Sequence, residues 1–113
     1  MIPHIVNKLD GFSAGDNVRV TTTDDYEVEG CVEFVDSNTD AERPRDRDIR
    51  LHVIIPTETA DKLDAVHCNV DVSATRLSDG WTDPDVSYPV ALDEHGIEEC
   101  ATLGELESID CTD

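Results

Sequence analysis

Hydrophobic and polar residues alternate along most of the chain with a period of two, not the 3.6 residues of a helix. The clearest run spans residues 66–75, where Val, Cys or Ala stands at every even position and a polar residue at every odd one. Residues 49–55 and 86–92 repeat the alternation, and Pro89 suits the latter to a sheet edge. Successive side chains of a strand point to opposite faces, so each run predicts a β-strand with one buried face.

Two earlier strands are predicted over residues 16–22 and 26–35, joined by a tight turn at residues 23–25. The predicted inward face of the second strand carries Tyr26, Val28, Gly30, Val32 and Phe34. Three glutamates lie on its other face, and a one-residue slip would bury them, so the register is firmly set. Glycine in mid-strand predicts a bend or bulge at Gly30.

The rest of the chain is organised around these strands. Residues 36–48 are polar, contain Pro44 and predict a long charged loop, whereas residues 57–65 predict a short helix. The C-terminal segment fits two structures: a strand over residues 97–103, or a short helix over residues 102–113 that starts at a capping box of Thr102 and Glu105. We favour a strand followed by a short helix, in a single domain over residues 1–113 with an N-terminal segment over residues 1–15.

Five short antiparallel strands leave exposed edges unless the sheet closes, which favours a small, strongly bent barrel. The stretch from Gly15 through Val18 and Val20, then a tight turn, then a strand with Gly30 at its middle resembles the opening of Sm-like and SH3-like small barrels. The resemblance covers Gly15 to about Val35. It implies a mainly β, five- to six-stranded antiparallel barrel with one or two short helices. The uridine-binding Asp/Asn loop and the Arg-Gly loop of the Sm family have no counterpart here, so RNA binding and ring assembly do not follow from it.

Charge changes the picture more than any motif does. Asp and Glu number 27 against 8 Lys and Arg, a formal net charge of −19, and the acids are spread along the whole length. This composition resembles cytoplasmic proteins of extremely halophilic archaea, whose acidic surfaces stay hydrated in concentrated salt. It argues against a nucleic-acid binder that works by bulk positive charge. No apolar run approaches the roughly 20 residues of a membrane helix, so we expect a cytoplasmic protein.

Positive charge is concentrated at one place only, where four of the six arginines stand: Arg43, Arg45, Arg47 and Arg50. Each guanidinium offers a fork of donors that suits phosphate, so an RNA- or nucleotide-binding barrel is one hypothesis. The interleaved Asp46 and Asp48 favour neutralisation by exposed salt bridges instead. Binding in concentrated salt would also need stacking aromatic residues, and this loop contains none.

Trp81 is the single tryptophan and lies in a loop with few other apolar residues. We favour a role in capping one end of the barrel. An exposed Trp81, joined by Tyr26 on the same rim, would instead be an anchor for a partner, because aromatic side chains dominate binding energetics. The leading hypothesis is therefore a non-catalytic interaction module that binds an unknown protein or ligand through loop 36–48 or the Trp81 rim. A homodimer is left open.

Catalytic, metal and cofactor sites have weak support in the sequence. Residues 36–40 copy the first half of a calcium loop, but Ala41 stands where the loop needs Gly and Arg47 where it needs Glu. The four cysteines include no C-x₂₋₄-C pair, Cys68 is predicted to be a core residue, and the histidines fall on outward or turn positions. We expect no enzyme activity, no metal and no cofactor, and metal binding is kept as the third hypothesis.

Overall fold

A computed structural model describes residues 4–38, 42, 47–77, 80–92, 94–96 and 98–112. Within them the chain forms two short helices, α1 (His4–Asp10) and α2 (Thr57–Leu63). The strands of the described residues are β1 (Asn17–Thr22), β2 (Glu27–Ser37), β3 (Asp48–Ile54), β4 (Asn69–Leu77), β5 (Gly80–Trp81), β6 (Asp85–Leu92) and β7 (Glu98–Cys111). The mainly β prediction and the helix expected after the third strand are confirmed.

The seven described strands belong to one antiparallel sheet with the order β3-β2-β1-β7-β6-β4-β5. Strands β3 and β4 also pair with each other, so six of the strands close into a ring and β5 lies outside it beside β4. This is more than the five to six strands expected, because β5 was not predicted, whereas β7 includes most of the strand favoured over residues 97–103. Pro89 lies where β6 has passed the end of its ladder with β4 and pairs with β7 alone, as expected of a sheet edge.

The core is built from the inward residues of the ring strands and is covered by both helices. Val6 and Leu9 of α1 and Ala60 and Leu63 of α2 pack onto it. The buried aliphatic residues of the strands are Val18, Val20, Val28, Val32, Ile49, Leu51, Val53, Val70, Val72, Ala74, Val86, Leu106 and Ile109. The alternation predicted for β1 and β3 is therefore confirmed over the lengths of those strands. In β4 it holds from Val70 to Thr75, but Asn69, expected to face outward, is also buried.

The helix expected over residues 102–113 is wrong, because β7 continues as a strand to Cys111. It pairs with β6 and then with β1, so it completes the ring. A capping box contributes about 1 kcal/mol and cannot compete with two strand ladders. The helix-like spacing of Leu106 and Ile109 comes from a bulge, since Thr21 pairs with Ser108 but Thr22 with Leu106.

Cys68 is not the core residue that the alternation predicts. Strand β4 begins only at Asn69, and the exposed Cys68 precedes it in a turn. The alternation of residues 66–75 therefore applies to the strand alone, and Val66 is also exposed.

The N-terminal segment contains a helix that the pattern did not reveal, because seven residues hold a single apolar repeat, Val6 and Leu9. Of the residues described, no helix is long and apolar enough to cross a bilayer.

Asp64 ends α2 in the left-handed conformation, with a φ of 57°. That conformation costs a non-glycine residue about 1–2 kcal/mol. Glycine avoids this cost but loses more backbone entropy on folding, so its net advantage is smaller. We expect Asp64→Gly to raise the free energy of unfolding by about 0.5 kcal/mol and Asp64→Ala to leave it unchanged or lower it. Urea unfolding in molar KCl measures both variants, and a glycine variant no more stable than the alanine variant would contradict the expectation.

Candidate interaction surface on β2, β3 and β4

The outer face of β2, β3 and β4 carries an exposed aromatic ring that the sequence pattern had placed inside. The register of β2 against β3 shifts between Val32 and Phe34, so a bulge interrupts the alternation. Val32 remains buried, Phe34 turns outward with 38% of its surface exposed, and Val35 packs against the core instead. The inward position predicted for Phe34 is therefore wrong for a local reason, the extra residue at the bulge.

Phe34 lies against two side chains of β3. Its ring stacks on that of His52, directly opposite in the register, with centroids 4.8 Å apart and planes 5° from parallel. The guanidinium carbon of Arg50, two residues along the same face of β3, lies 5.7 Å from the centroid of the Phe34 ring. Ile54, two residues along in the other direction, is 39% exposed. We call Phe34, Arg50, His52 and Ile54 the outer patch.

Two carboxylates orient the His52 ring. Its Nδ1 lies 2.7 Å from Oδ1 of Asp71, the residue opposite it on β4, and its Nε2 lies 3.5 Å from Oε2 of Glu33. A general base would need one ring nitrogen directed at a substrate proton. Here both ring nitrogens face carboxylates of the protein itself, so the arrangement positions the ring and does not resemble a catalytic dyad.

An open groove of about 430 Å³ lies next to the outer patch and shares Ile54 with it. Gly30 makes the groove possible, because a Cβ at this position would come within 2.3 Å of the Ile54 carbonyl oxygen and 2.7 Å of a Val53 methyl. The Ile54 main chain thus lies directly against Gly30. The lining includes Glu29, Gly30, Cys31, Ile54, Ile55 and Pro56.

Carboxylates dominate the surroundings of the patch. Glu33 and Asp71 flank His52, and Asp36 lies opposite Arg50 in the register. Beside the groove, Arg19 donates from Nε and Nη2 to Oε1 of Glu29 over 3.0 and 2.8 Å. These hydrogen bonds raise the pKa of the exposed Arg19 guanidinium. The surface therefore presents apolar groups within a mostly negative frame.

The structure places the predicted site residues at different positions. Arg50 joins the outer patch, whereas Arg47 lies just before β3, where its carbonyl oxygen accepts a hydrogen bond from the Arg76 main chain. Arg43 and Arg45 lie outside the described residues. Half-buried Trp81 packs against the core, in agreement with the capping role, and Tyr26 is 37% exposed just before β2.

Phe34, Asp71 and Ile54 are site residues that the sequence pattern did not indicate, and His52 was predicted only as an outward histidine. The sequence does contain one signal for this surface. Arg50, His52 and Ile54 are two residues apart and therefore share the outward face of β3. Their aromatic partner could be found only by placing the bulge in β2. Cys31 is half-buried and Cys68, Cys100 and Cys111 are exposed, and these four form no disulfide. Within the described part of the chain, no three His, Cys, Asp or Glu side chains are grouped as metal ligands.

No protein-family model, no curated protein and no solved structure matches this chain.

Proposed function

We propose that this protein is a non-catalytic interaction module that contacts a partner through the outer patch. The observation that carries the proposal is Phe34, an exposed ring that stacks on His52, lies near the Arg50 guanidinium and shares the outer face of the sheet with exposed Ile54. Aromatic residues and arginine are enriched among the residues that dominate interface energies. The patch lies at the foot of loop 36–48, which the sequence indicated as a binding loop.

Sheet stability alone accounts for only part of this arrangement. A cross-strand pair such as Phe34 and His52 contributes roughly 0.2–1 kcal/mol to a sheet. It does not require an exposed Ile54 in the next row or an open groove beside it. The stacking contacts and the Asp71 hydrogen bond also fix these side chains before a partner arrives, which lowers the entropy lost on binding.

An RNA- or nucleotide-binding function is the second candidate. Arg50 favours it, because this arginine ends the arginine-rich segment and lies near the Phe34 ring. The loop itself contains no aromatic residue. Two features weigh against it. His52 and Arg50 already contact the Phe34 ring, and the carboxylates of Glu33 and Asp71 would repel phosphate.

The fold and the cellular setting are parts of the same proposal. We infer that the six-stranded ring is a small barrel of Sm-like or SH3-like type, with β2 bent at Gly30 where it passes from β1 to β3. The net charge of −19 supports a halophilic, cytoplasmic setting. In such a medium charge–charge attraction is short-ranged, so an interface would depend on apolar contacts of the kind that Phe34 and Ile54 offer.

Phe34→Ser tests the proposed function. We expect this variant, immobilised in a salt-rich lysate, to retain about tenfold less of the specific partner than the wild-type protein does, because it loses the central anchor. Removal of the ring also costs about 1–2 kcal/mol of stability through its lost contacts, so capture is compared at a temperature where circular dichroism shows both proteins folded.

Val66→Ser is the matched control, since Val66 is 42% exposed and belongs to the turn after α2. It should capture the same proteins as the wild type. Equal capture by the Phe34→Ser variant would overturn the proposal, and capture that disappears on ribonuclease treatment would favour the second candidate.

A further inference from the structure

Strand β2 has an edge that no described strand covers. It pairs with β1 from Glu27 to Cys31 and with β3 from Cys31 to Ser37. The ladder with β3 ends at the Cys31–Ile54 pair, because Pro56 follows and the chain turns into α2. On the side away from β1, residues 27–30 therefore lack a neighbouring strand among the described residues.

Some main-chain N–H and C=O groups at this edge point sideways, in the plane of the sheet and away from β1. Val32 donates its N–H to Asp16 and accepts from Gly15, both over 2.8 Å, and Tyr26 accepts from Thr22 over 2.9 Å. Even-numbered residues near and within this part of β2 thus bond towards β1. Because bonding direction alternates along a strand, the N–H and C=O groups of Glu27 and Glu29 point to the open side. Such a row of groups is a template for another strand.

We propose that this edge and the adjoining groove bind an extended, cationic peptide segment of the partner protein as an added strand beside β2. An apolar side chain of the segment opposite Glu29 lies against Ile54 and Pro56 in the groove. A Lys or Arg two residues away, on the same face of the added strand, meets Glu27. The proposal rests on the proposed function and specifies the partner, since Ile54 belongs to both the outer patch and the groove.

Charge selects the class of partner. Glu27 and Glu29 are exposed, and Arg19 already pairs with Glu29, which leaves Glu27 to face an incoming chain. A second copy pairing through the same edge would bring glutamates opposite glutamates, and like charges directly opposite destabilise a sheet. A single-stranded RNA would bring phosphates to the same carboxylates. A cationic peptide meets neither obstacle, and its main chain supplies the hydrogen bonds that strand addition needs.

Glu29→Pro tests the edge, with Glu29→Ala as the matched control. Both variants lose the pair with Arg19, but only proline removes the main-chain N–H that points to the open side. Proline is tolerated where that N–H faces solvent, and circular dichroism checks the fold of each variant. Relative to the alanine variant, we expect the proline variant to bind the peptide probe at least about tenfold more weakly.

The probes are fluorescent eight-residue peptides in which Leu and Lys alternate on one face and Thr occupies the other. The comparison peptides carry Glu in place of Lys, or N-methyl groups on the main chain, and (rU)8 is the nucleic-acid arm. Anisotropy in molar KCl measures binding. A variant with Cys68→Ser, Cys100→Ser and Cys111→Ser leaves Cys31 as the single thiol, so a peptide in the groove should slow its modification by a maleimide.

We expect the Leu/Lys peptide to bind and protect Cys31, and N-methylation to weaken binding at least about tenfold. Glu-for-Lys exchange should weaken it less, by about threefold, because molar KCl screens exposed charges. The proposal is overturned if N-methylation and Glu29→Pro have no effect, if (rU)8 competes for the groove, or if no peptide binds. The proposed function has a separate readout, the partner captured in a Phe34-dependent way. A partner lost with Phe34→Ser but retained with Glu29→Pro keeps the function and rejects the edge.

Discussion

Replacement of Gly30 by alanine is expected to lower the free energy of unfolding by about 3 kcal/mol or more. The added Cβ would lie 2.3 Å from the Ile54 carbonyl oxygen and 2.7 Å from Cγ1 of Val53, which is fully buried. Neither neighbour is the flexible end of an exposed side chain, so relief requires β3 to move away from β2. The cost is a large share of the 5–15 kcal/mol that typically holds a domain folded. Urea unfolding in molar KCl measures the loss.

Gly11→Ala is the control for this substitution. A Cβ at Gly11 would meet the Lys8 carbonyl oxygen at 3.4 Å, an ordinary contact, so we expect a change within about 1 kcal/mol. Similar stabilities of the Gly30→Ala and Gly11→Ala variants would show that β3 gives way easily at the crossing. In that case the groove beside Gly30 would not have the fixed shape that the peptide proposal requires.

The sequence predicts those parts of the fold in which a period of two continues without interruption. The buried faces of β3 and β4 follow directly from alternation, and the glutamates of β2 set its register because burying them would be costly. The sequence marked Gly30 as a special position, predicted as a bend or bulge, and the structure shows a close approach of main chains there. The groove beside Ile54 could not be predicted, because it depends on which strand packs against Gly30.

Bulges explain the main disagreements. One bulge in β2 reverses the expected position of Phe34, and one at the β1–β7 pairing gives Leu106 and Ile109 the spacing of a helix. A bulge inserts one residue into a ladder, and no residue type marks the ones found here, so single-sequence reasoning continues the alternation past them. Because Phe34 was predicted to face inward, the aromatic partner of Arg50 was not recognised. The apparent lack of an aromatic residue beside the arginines had been an argument against a stacking site.

The candidate site combines residues that are distant along the chain. His52 and Asp71 meet because β3 and β4 pair with α2 between them, and that pairing was not deducible from either segment alone. The arginine-rich segment was a candidate because of its composition. Among its described arginines, only Arg50 lies near the Phe34 ring. Composition thus indicated the neighbourhood of the patch, and strand pairing determined its members.

Transfer of the protein from molar KCl to dilute buffer is expected to abolish cooperative folding or lower Tm by about 20 °C or more. The described ion pairs of Lys8 with Asp110 and Arg19 with Glu29 are exposed, and such pairs contribute about 0–1 kcal/mol each. The net charge of −19 already counts every Lys and Arg, so these pairs compensate none of it. At about 1 M salt the Debye length is about 3 Å, but at 0.01 M it is about 30 Å, larger than the radius of gyration of 14.0 Å. Every carboxylate then repels the others across the whole molecule.

A shift of this size corresponds to a loss of about 3–5 kcal/mol, since 1 kcal/mol changes the Tm of a domain near this size by about 4–8 °C. Thermal melts followed by circular dichroism across a KCl series measure it. A variant with Glu99→Gln, Glu105→Gln and Glu107→Gln removes three exposed charges from β7, so its loss of structure should begin at a lower KCl concentration than in the wild type. A Tm independent of KCl, or the same salt midpoint in the variant, would mean that repulsion is not what the salt relieves. The acidic residues would then have to be explained by a ligand, and a cationic partner of the kind proposed for the β2 edge would be the first to test.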